Sequence, residues 1–280
     1  MPELPEVETV CRGLARSLEG HKIASVELAR KNLRIPFPSG LVKIAGAKVE
    51  SIGRRAKYIL LRLSTGQTVI LHLGMSGRMT IKDRRETYTP EKHDHMVIGM
   101  QDGTRVVFND ARRFGLVTLS KTSEIDKHKL IKHLGPEPLE KTFNATYLAQ
   151  KLKGRKTAIK IAIMDQRIVV GVGNIYASEA LFMAGIGPKR KAGSLTKAEA
   201  EKLVAAIRAV LKKAIAAGGS SLRDYVQADG ELGYFQHQWA VYDRGGEKCK
   251  GCACDIAKTG GIRKITQGQR STYYCPRKQK

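Results

Sequence analysis

The chain has 280 residues, 42% of them hydrophobic, which is enough for a buried core. No apolar run approaches the ~18–20 residues that span a bilayer, and the start lacks the basic and apolar regions of a secretory leader, so a cytoplasmic protein is expected. Lys and Arg number 50 against 26 Asp and Glu, a formal charge of +24 spread along the chain. That excess lies well beyond the roughly 2–8 that solubility asks of a small domain, and it makes a polyanion the leading partner.

The chain opens MPELPEVETV. Val7, Val10, Cys11, Leu14 and Leu18 recur at helical spacing, so a helix is predicted from Pro5 to Gly20. Pro5 suits the first helical position, and Glu6 and Glu8 suit the positive end of the helix dipole. Removal of Met1 would give Pro2 a free secondary amine next to the Glu3 carboxylate. Such an amine attacks an aldehyde-like carbon and forms an iminium, whose charge acidifies the neighbouring carbon. Glu3 is close enough in sequence to shuttle protons, with Glu6 to assist. On spacing alone, an acidic helix cap is the favoured reading of PELPEVE. The basic composition and the terminal cysteines tilt the balance towards attack on the sugar C1′ of a damaged nucleotide.

Strands are predicted next. AKYILLRLSTGQTVILHLGMSG reads as a hairpin around Ser64-Thr65-Gly66, and HMVIGMQDGTRVVFNDARRFGLVTLS as a second with Asp102-Gly103 at its turn. HLGPEPLEKTFN, with Pro136 and Pro138, reads as a linker. Helices are expected over 145–153 and 156–165. A longer one begins at Thr196, where Thr196 and Glu199 form a capping box, and stops at Gly218-Gly219. Gly171 and Gly173 precede Asn174 and another helix, whose first amides would suit a phosphate. The last 35 residues form a Gly-rich appendage bearing Cys249, Cys252, Cys254 and Cys275, a set that points to metal more than to disulfides.

MPELPEVE, RRAKYILL, HLGMSG, KHDH, ARRFG, GVGNIYASEALF, GGSSLRDY and QRSTYYC, in that order from residue 2 to about 278, together resemble the formamidopyrimidine-DNA glycosylases. Their sister group, endonuclease VIII, usually opens PEGPE. The resemblance implies an α+β fold of two domains: an N-terminal β-sandwich with flanking helices, and a C-terminal helix-two-turn-helix domain carrying a β-hairpin zinc-finger-like module. Expected boundaries are 1–134 for the catalytic domain, 135–145 for the linker, 146–240 for the helical domain and 241–280 for the hairpin.

The resemblance also implies roles. Pro2 would attack C1′, Glu3 would act as general acid and base, and Lys57 would hold a phosphate near the lesion and assist chemistry. Met75, Arg112 and Phe114 match side chains that fill the gap left by an everted nucleotide; eversion costs a few kcal/mol, which inserted side chains offset. Placed two apart on an extended strand, Arg112 and Phe114 would point the same way and Arg113 oppositely, towards phosphate. His93 resembles a DNA contact, Asn174 a phosphate ligand, and Arg270 the arginine that grips phosphates at the lesion. Residues 220–234 match a loop that closes over the everted base.

The family's finger has two Cys-x-x-Cys knuckles around zinc. Cys249 and Cys252 form one; the second begins at Cys275, but Lys278 stands where its partner is expected. Three readings stay open: Cys254 supplies the fourth thiolate, zinc has a non-thiolate fourth ligand, or the hairpin folds without metal. The expected function is excision of oxidised purines from lesion-bearing duplex DNA by a monomer, nucleoid-associated when bound to DNA, without a small-molecule cofactor. Strand cleavage by β,δ-elimination would follow through a Schiff base. The rivals are an endonuclease VIII-like enzyme for oxidised pyrimidines and a non-catalytic binder of damaged DNA.

Overall fold

The computed structural model describes residues 1–220, 228 and 233–280, so most of the 220–234 stretch lies outside the described residues. The chain divides into two compact units, Met1–His133 with Ile215–Gln236, and Leu134–Ala214 with His237–Lys280. The sequence reading instead kept residues 215–236 with the helical domain.

In the first unit α1 (Leu4–Leu18) precedes eight strands. These are β1 (Ile23–Leu28), β2 (Val49–Arg55), β3 (Tyr58–Leu63), β4 (Gln67–His72), β5 (Arg78–Lys82), β6 (Asp94–Met100), β7 (Arg105–Asn109) and β8 (Leu116–Lys121). They form two antiparallel four-stranded sheets, ordered β1-β6-β7-β5 and β2-β3-β4-β8. One core cluster unites Val7, Val10, Leu14 and Leu18 of α1 with Ile59 and Leu61 of one sheet and Met96, Ile98 and Phe108 of the other. Each such side chain contributes about 1.5–3 kcal/mol when fully buried, so α1 is fixed by its apolar stripe.

Both predicted turns are present: β3 pairs with β4 across residues 64–66, and β6 with β7 across Asp102-Gly103. The second predicted hairpin is nevertheless not one continuous unit. After Asn109 the chain leaves its sheet, and β8 pairs with β4 in the other sheet. The crossing segment, residues 110–115, ends at Gly115, where a Cβ would lie 2.7 Å from Phe108 Cζ and 3.0 Å from the His72 carbonyl oxygen. Only glycine fits there.

The second unit contains α2 (Ala145–Leu152), α3 (Ile159–Met164), α4 (Asn174–Ala184), most of α5 (Lys197–Ala216), the short α6 (Ile256–Thr259), and a hairpin of β9 (Arg263–Gln267) and β10 (Arg270–Tyr274). The predicted helix over 156–165 is thus shorter than its apolar pattern. The N-terminus of α5 is a reciprocal cap: Glu199 N–H donates to Thr196 Oγ1 at 3.2 Å, and Thr196 N–H to Glu199 Oε2 at 2.9 Å. Arg190 Nη2 also donates to Glu199 Oε2, at 3.0 Å.

The Arg190 guanidinium and then the Thr196 amide hold the Glu199 carboxyl at about 2, against an ordinary 4.5. A carboxyl held low in the folded state stabilises above its ordinary value and loses that contribution as pH falls through the folded one. Glu199→Gln is therefore expected to destabilise the protein at pH 7 by about 1 kcal/mol. The deficit should shrink as pH falls from 4.5 towards 2, as read from denaturant midpoints of the two proteins.

Candidate active site and nucleic-acid interface

The first turn of α1 buries two carboxylates. Glu3 and Glu6 are 3% and 2% exposed, and Pro2 before them is buried too. Glu3 is the N-cap, with an extended backbone, and its N–H donates to Glu6 Oε2 at 2.8 Å. The other oxygen, Glu6 Oε1, accepts from Ser220 N–H at 2.8 Å. Glu6 thereby ties the start of the chain to residue 220, and the helix dipole favours negative charge at this end. Gly219 has a φ of +83° and lies against Glu6, where an added Cβ would be 3.0 Å from Oε1.

Lys57 is 6% exposed and sits in the tight turn between β2 and β3, not on a strand as its sequence setting suggests. The chain reverses there because Ala56 adopts a left-handed φ of 55°, uncommon for a residue with a Cβ. Arg54 braces the turn: Nη1 donates to the Ala56 carbonyl and Nε to Glu8 Oε2, each at 2.9 Å. Burial works against the Glu8 charge, yet Arg54 and Arg12 hold its carboxyl below the usual value. A ladder from α1 through Glu8 and Arg54 thus supports the turn that carries Lys57. Burial, then the charges of Lys57 and Arg34, push His72 down to about 4. It is neutral at physiological pH, and its Nδ1 accepts from Gly74 N–H at 2.9 Å.

Met75 is half-buried in the loop after β4. Arg112, Arg113 and Phe114 lie in the crossing segment after β7, not on an extended strand, which overturns the alternation expected of them. Arg113 has a φ of 58° and donates its N–H to the Asp110 carbonyl, so the segment is a turn and successive side chains do not alternate. Arg112 and Phe114 still associate, because the guanidinium carbon stands 5.0 Å from the ring centroid. Phe114 is 46% exposed, so the pair lies at the surface. The two loops touch: a Cβ on Gly74 would fall 2.4 Å from the Phe114 carbonyl carbon. His93 lies half-buried beside them, its ring 6.3 Å from that of His95 and its carbonyl bonded to Asp110 N–H.

In the second unit Asn174 opens α4 behind Gly173, but its side chain is engaged within the protein. Its Oδ1 accepts from Lys160 Nζ at 2.6 Å, and its Nδ2 donates to the Ser271 carbonyl at 2.9 Å. Lys160 is completely buried and also donates to Thr272 Oγ1 at 2.7 Å. Sequence reasoning missed this lysine; its signal is a cation inside the apolar run AIKIAI. Arg270 is exposed at the first position of β10, just after a two-residue turn at Gly268 and Gln269. Both turn residues have positive φ, 53° and 60°, the twist that suits a tight hairpin.

The four terminal cysteines converge. Their sulfurs all lie within 4.8 Å of one another, and three of the four residues are buried. Cys254 Sγ stands 3.3 Å from Cys249, 2.7 Å from Cys252 and 3.1 Å from Cys275. Four thiolates at ~2.3 Å from one ion sit roughly 3.8 Å apart, so the donor set suits a tetrahedral metal, with Cys254 moving outward from its three neighbours. Burial pushes the Cys275 thiol up, but Cys254 and the Lys278 amide more than offset it and draw it to about 7. Lys278, standing where a cysteine was expected, carries its ammonium to 4.1 Å from the Phe182 ring centre on α4. Glu179, also on α4, accepts from the N–H groups of Ala240, Val241 and Tyr242 and so anchors the start of the appendage. Cys11 is buried and remote in sequence from this set; burial pushes its thiol up to about 12.

Residues 1–117 match the family described as "Formamidopyrimidine-DNA glycosylase N-terminal domain", and residues 134–226 match "Formamidopyrimidine-DNA glycosylase H2TH domain". The chain is 54% identical over 281 residues to a formamidopyrimidine-DNA glycosylase of Rhodospirillum rubrum, and 53% identical to one of Acidiphilium cryptum. Each alignment covers 100% of both chains. Among solved structures it is similar to a Lactococcus lactis FPG mutant bound to Fapy-dG-containing DNA, with a TM-score of 0.90, 34% identity and full coverage of both chains. It is likewise similar to the Lactococcus lactis Fpg bound to abasic-site DNA, with a TM-score of 0.89, 34% identity and 99% coverage of each.

Proposed function

The chain belongs to the formamidopyrimidine-DNA glycosylase family and is a base-excision DNA glycosylase, and on that footing we propose that it excises oxidised purines with the imino nitrogen of Pro2 as nucleophile. The observation that carries this reading is the buried Glu3 carboxylate, held directly after Pro2 at the N-terminus of α1. Met1 is 39% exposed, which suits its removal by an aminopeptidase.

With Met1 gone, the Pro2 lone pair attacks C1′ of an everted nucleotide. The bond from C1′ to the base breaks, and the base leaves with a proton. Glu3, as general acid and base, moves protons between the sugar and the leaving group. The C1′–N adduct gives up the nitrogen's proton, and the sugar ring then opens: the C1′–O4′ bond breaks, O4′ takes a proton from Glu3, and the Pro2 lone pair forms the iminium. The iminium draws electrons from C2′, so loss of a C2′ proton expels the 3′ phosphate. A second elimination expels the 5′ phosphate. The positive end of the α1 dipole disfavours an ammonium at Pro2 and keeps the nitrogen nucleophilic. Glu6 serves by holding Glu3 and residue 220 in place.

Duplex DNA bearing a lesion is the proposed substrate. Lys57 and Arg270 contact phosphates near the lesion. Arg113, His93 and the N-terminus of α4 at Asn174 add backbone contacts, and Met75, Arg112 and Phe114 occupy the gap in the stack. The exposed Phe114 ring beneath a guanidinium suits that last role.

One zinc ion is proposed to hold the terminal hairpin through Cys249, Cys252, Cys254 and Cys275. The ion supplies folding energy to a two-stranded hairpin that is marginal by itself. The cation–π seat of Lys278 on Phe182 is the support for excluding position 278 from the ligand set.

Borohydride reduction during turnover of DNA containing 8-oxoguanine opposite cytosine is expected to trap the wild-type protein covalently on the DNA. Pro2→Gly should lose most trapping and excision, and Glu3→Gln should abolish base release. Absence of any trapped wild-type species would overturn the covalent mechanism. Preferred excision of thymine glycol over 8-oxoguanine would overturn the substrate assignment.

Purified wild type is expected to carry one equivalent of zinc by elemental analysis, with Cys275→Ser and Cys254→Ser each losing most of it. Metal-free wild type would overturn the zinc assignment. Full retention by Cys254→Ser would remove Cys254 from the ligand set.

A further inference from the structure

Asp110 lies outside every role assigned so far, yet its carboxylate is completely buried. It sits where the chain leaves β7 for the crossing segment. Its Oδ1 accepts from Ser76 Oγ, in the loop that carries Met75, and its Oδ2 accepts from Gly115 N–H at 2.7 Å, closing the turn that carries Arg112 and Phe114. Its backbone is engaged as well. The carbonyl accepts from Arg113 N–H at 3.2 Å and lies 2.9 Å from His95 Nε2, while its N–H donates to the His93 carbonyl at 3.0 Å. Ser76 returns the contact, because its Oγ also accepts from Arg112 N–H at 3.0 Å.

These bonds bring two loops that are far apart in sequence onto one buried group. The backbone around them is tight, since Gly74 and Gly115 have no room for a Cβ. On the same two loops Arg112 and Phe114 are exposed and Met75 is half-buried. A side chain inserted into a base stack works only if it does not yield when the bases push back. Its support must therefore be fixed before DNA arrives.

We propose that Asp110 is a positioning residue for nucleotide eversion: its buried carboxylate, bonded to Ser76 and Gly115, locks together the two loops that present Met75, Arg112 and Phe114. The inference rests on the reading of those three side chains as gap fillers. Asp110 touches neither DNA nor the reacting atoms. Its action shows only on substrates in which a base must be removed from a stack. An abasic site in single-stranded DNA makes no such demand.

The test compares excision of 8-oxoguanine from a duplex with strand cleavage at an abasic site in a single-stranded oligonucleotide, using the full-length protein below its melting transition. Asp110→Ala is expected to slow duplex excision roughly 100-fold while changing single-strand cleavage by no more than about twofold. Ser76→Ala, which keeps the Gly115 bond, should show the same selectivity to a smaller degree and guards against an Asp110→Ala protein that fails to fold. Asp110→Asn should restore much of the duplex rate, since its carbonyl can accept from Gly115 while its amide donates to Ser76 Oγ. Phe114→Ala serves as the reference and should show the duplex-selective loss directly.

If Phe114→Ala is selective but Asp110→Ala and Ser76→Ala are not, or if they slow both substrates equally, the positioning role is overturned and the gap-filling reading stands. If Phe114→Ala and Met75→Ala leave duplex excision at the wild-type rate, the gap-filling reading falls and the positioning role falls with it.

Discussion

The Glu6 carboxylate accepts two backbone amides, Glu3 N–H and Ser220 N–H, from positions more than two hundred residues apart. Chain ends ordinarily fray. A nucleophile on the terminal nitrogen therefore needs the terminus pinned, and pinned by groups other than the one that moves protons. In the proposed mechanism the two carboxylates of the first turn divide this work. Glu6 gives one oxygen to each amide, and Glu3 stands beside Pro2. The apolar stripe of α1 supplies the mass of the anchor, since Leu4, Val7, Val10, Leu14 and Leu18 are all almost wholly buried.

The same economy recurs away from the terminus. Lys57, Met75, Arg112 and Phe114 each sit on a turn or loop, and each turn is braced by a buried or half-buried polar group. Glu8 and Arg54 hold the Ala56 turn, while His72 holds the loop after β4 and Asp110 the crossing segment. In the second unit Lys160 does the equivalent, joining Asn174 of α4 to Ser271 and Thr272 of the hairpin. Buried charges are costly unless fully bonded, and their bonds here run to the segments that carry the proposed DNA-contacting side chains. Rigid support beneath adaptable surface groups is what a binding site for a distorted polyanion requires.

Much of this was legible in the sequence. The helical stripe of α1, the cap at Thr196 and the turns at Ser64-Thr65-Gly66 and Asp102-Gly103 are local signals, and local physics decides them. The errors came where tertiary contacts overrode local pattern. ARRFG reads as strand by continuity with VVFND, yet the chain must cross between sheets there, and Arg113 takes a left-handed backbone. RRAKY reads as the start of a strand, yet Ala56 turns because Arg54 grips its carbonyl. Asp110 carries no sequence signal of its role, since an Asp before a turn is commonplace, and Lys160 is marked only as a cation inside the apolar run AIKIAI. The fourth thiolate stayed open for a similar reason. Spacing alone does not say whether Cys254 folds back, and the structure brings its sulfur within 3.3 Å of each of the other three.

Everything proposed for the chemistry turns on what stands at the first position of the working enzyme. Tandem mass spectrometry of the N-terminal peptide, taken from protein of full specific activity, reads that position directly. The expected peptide begins at Pro2 with an unmodified imino nitrogen. A peptide that still carries Met1, or an acyl group on the terminal nitrogen, in fully active protein would contradict it and send the search to another nucleophile.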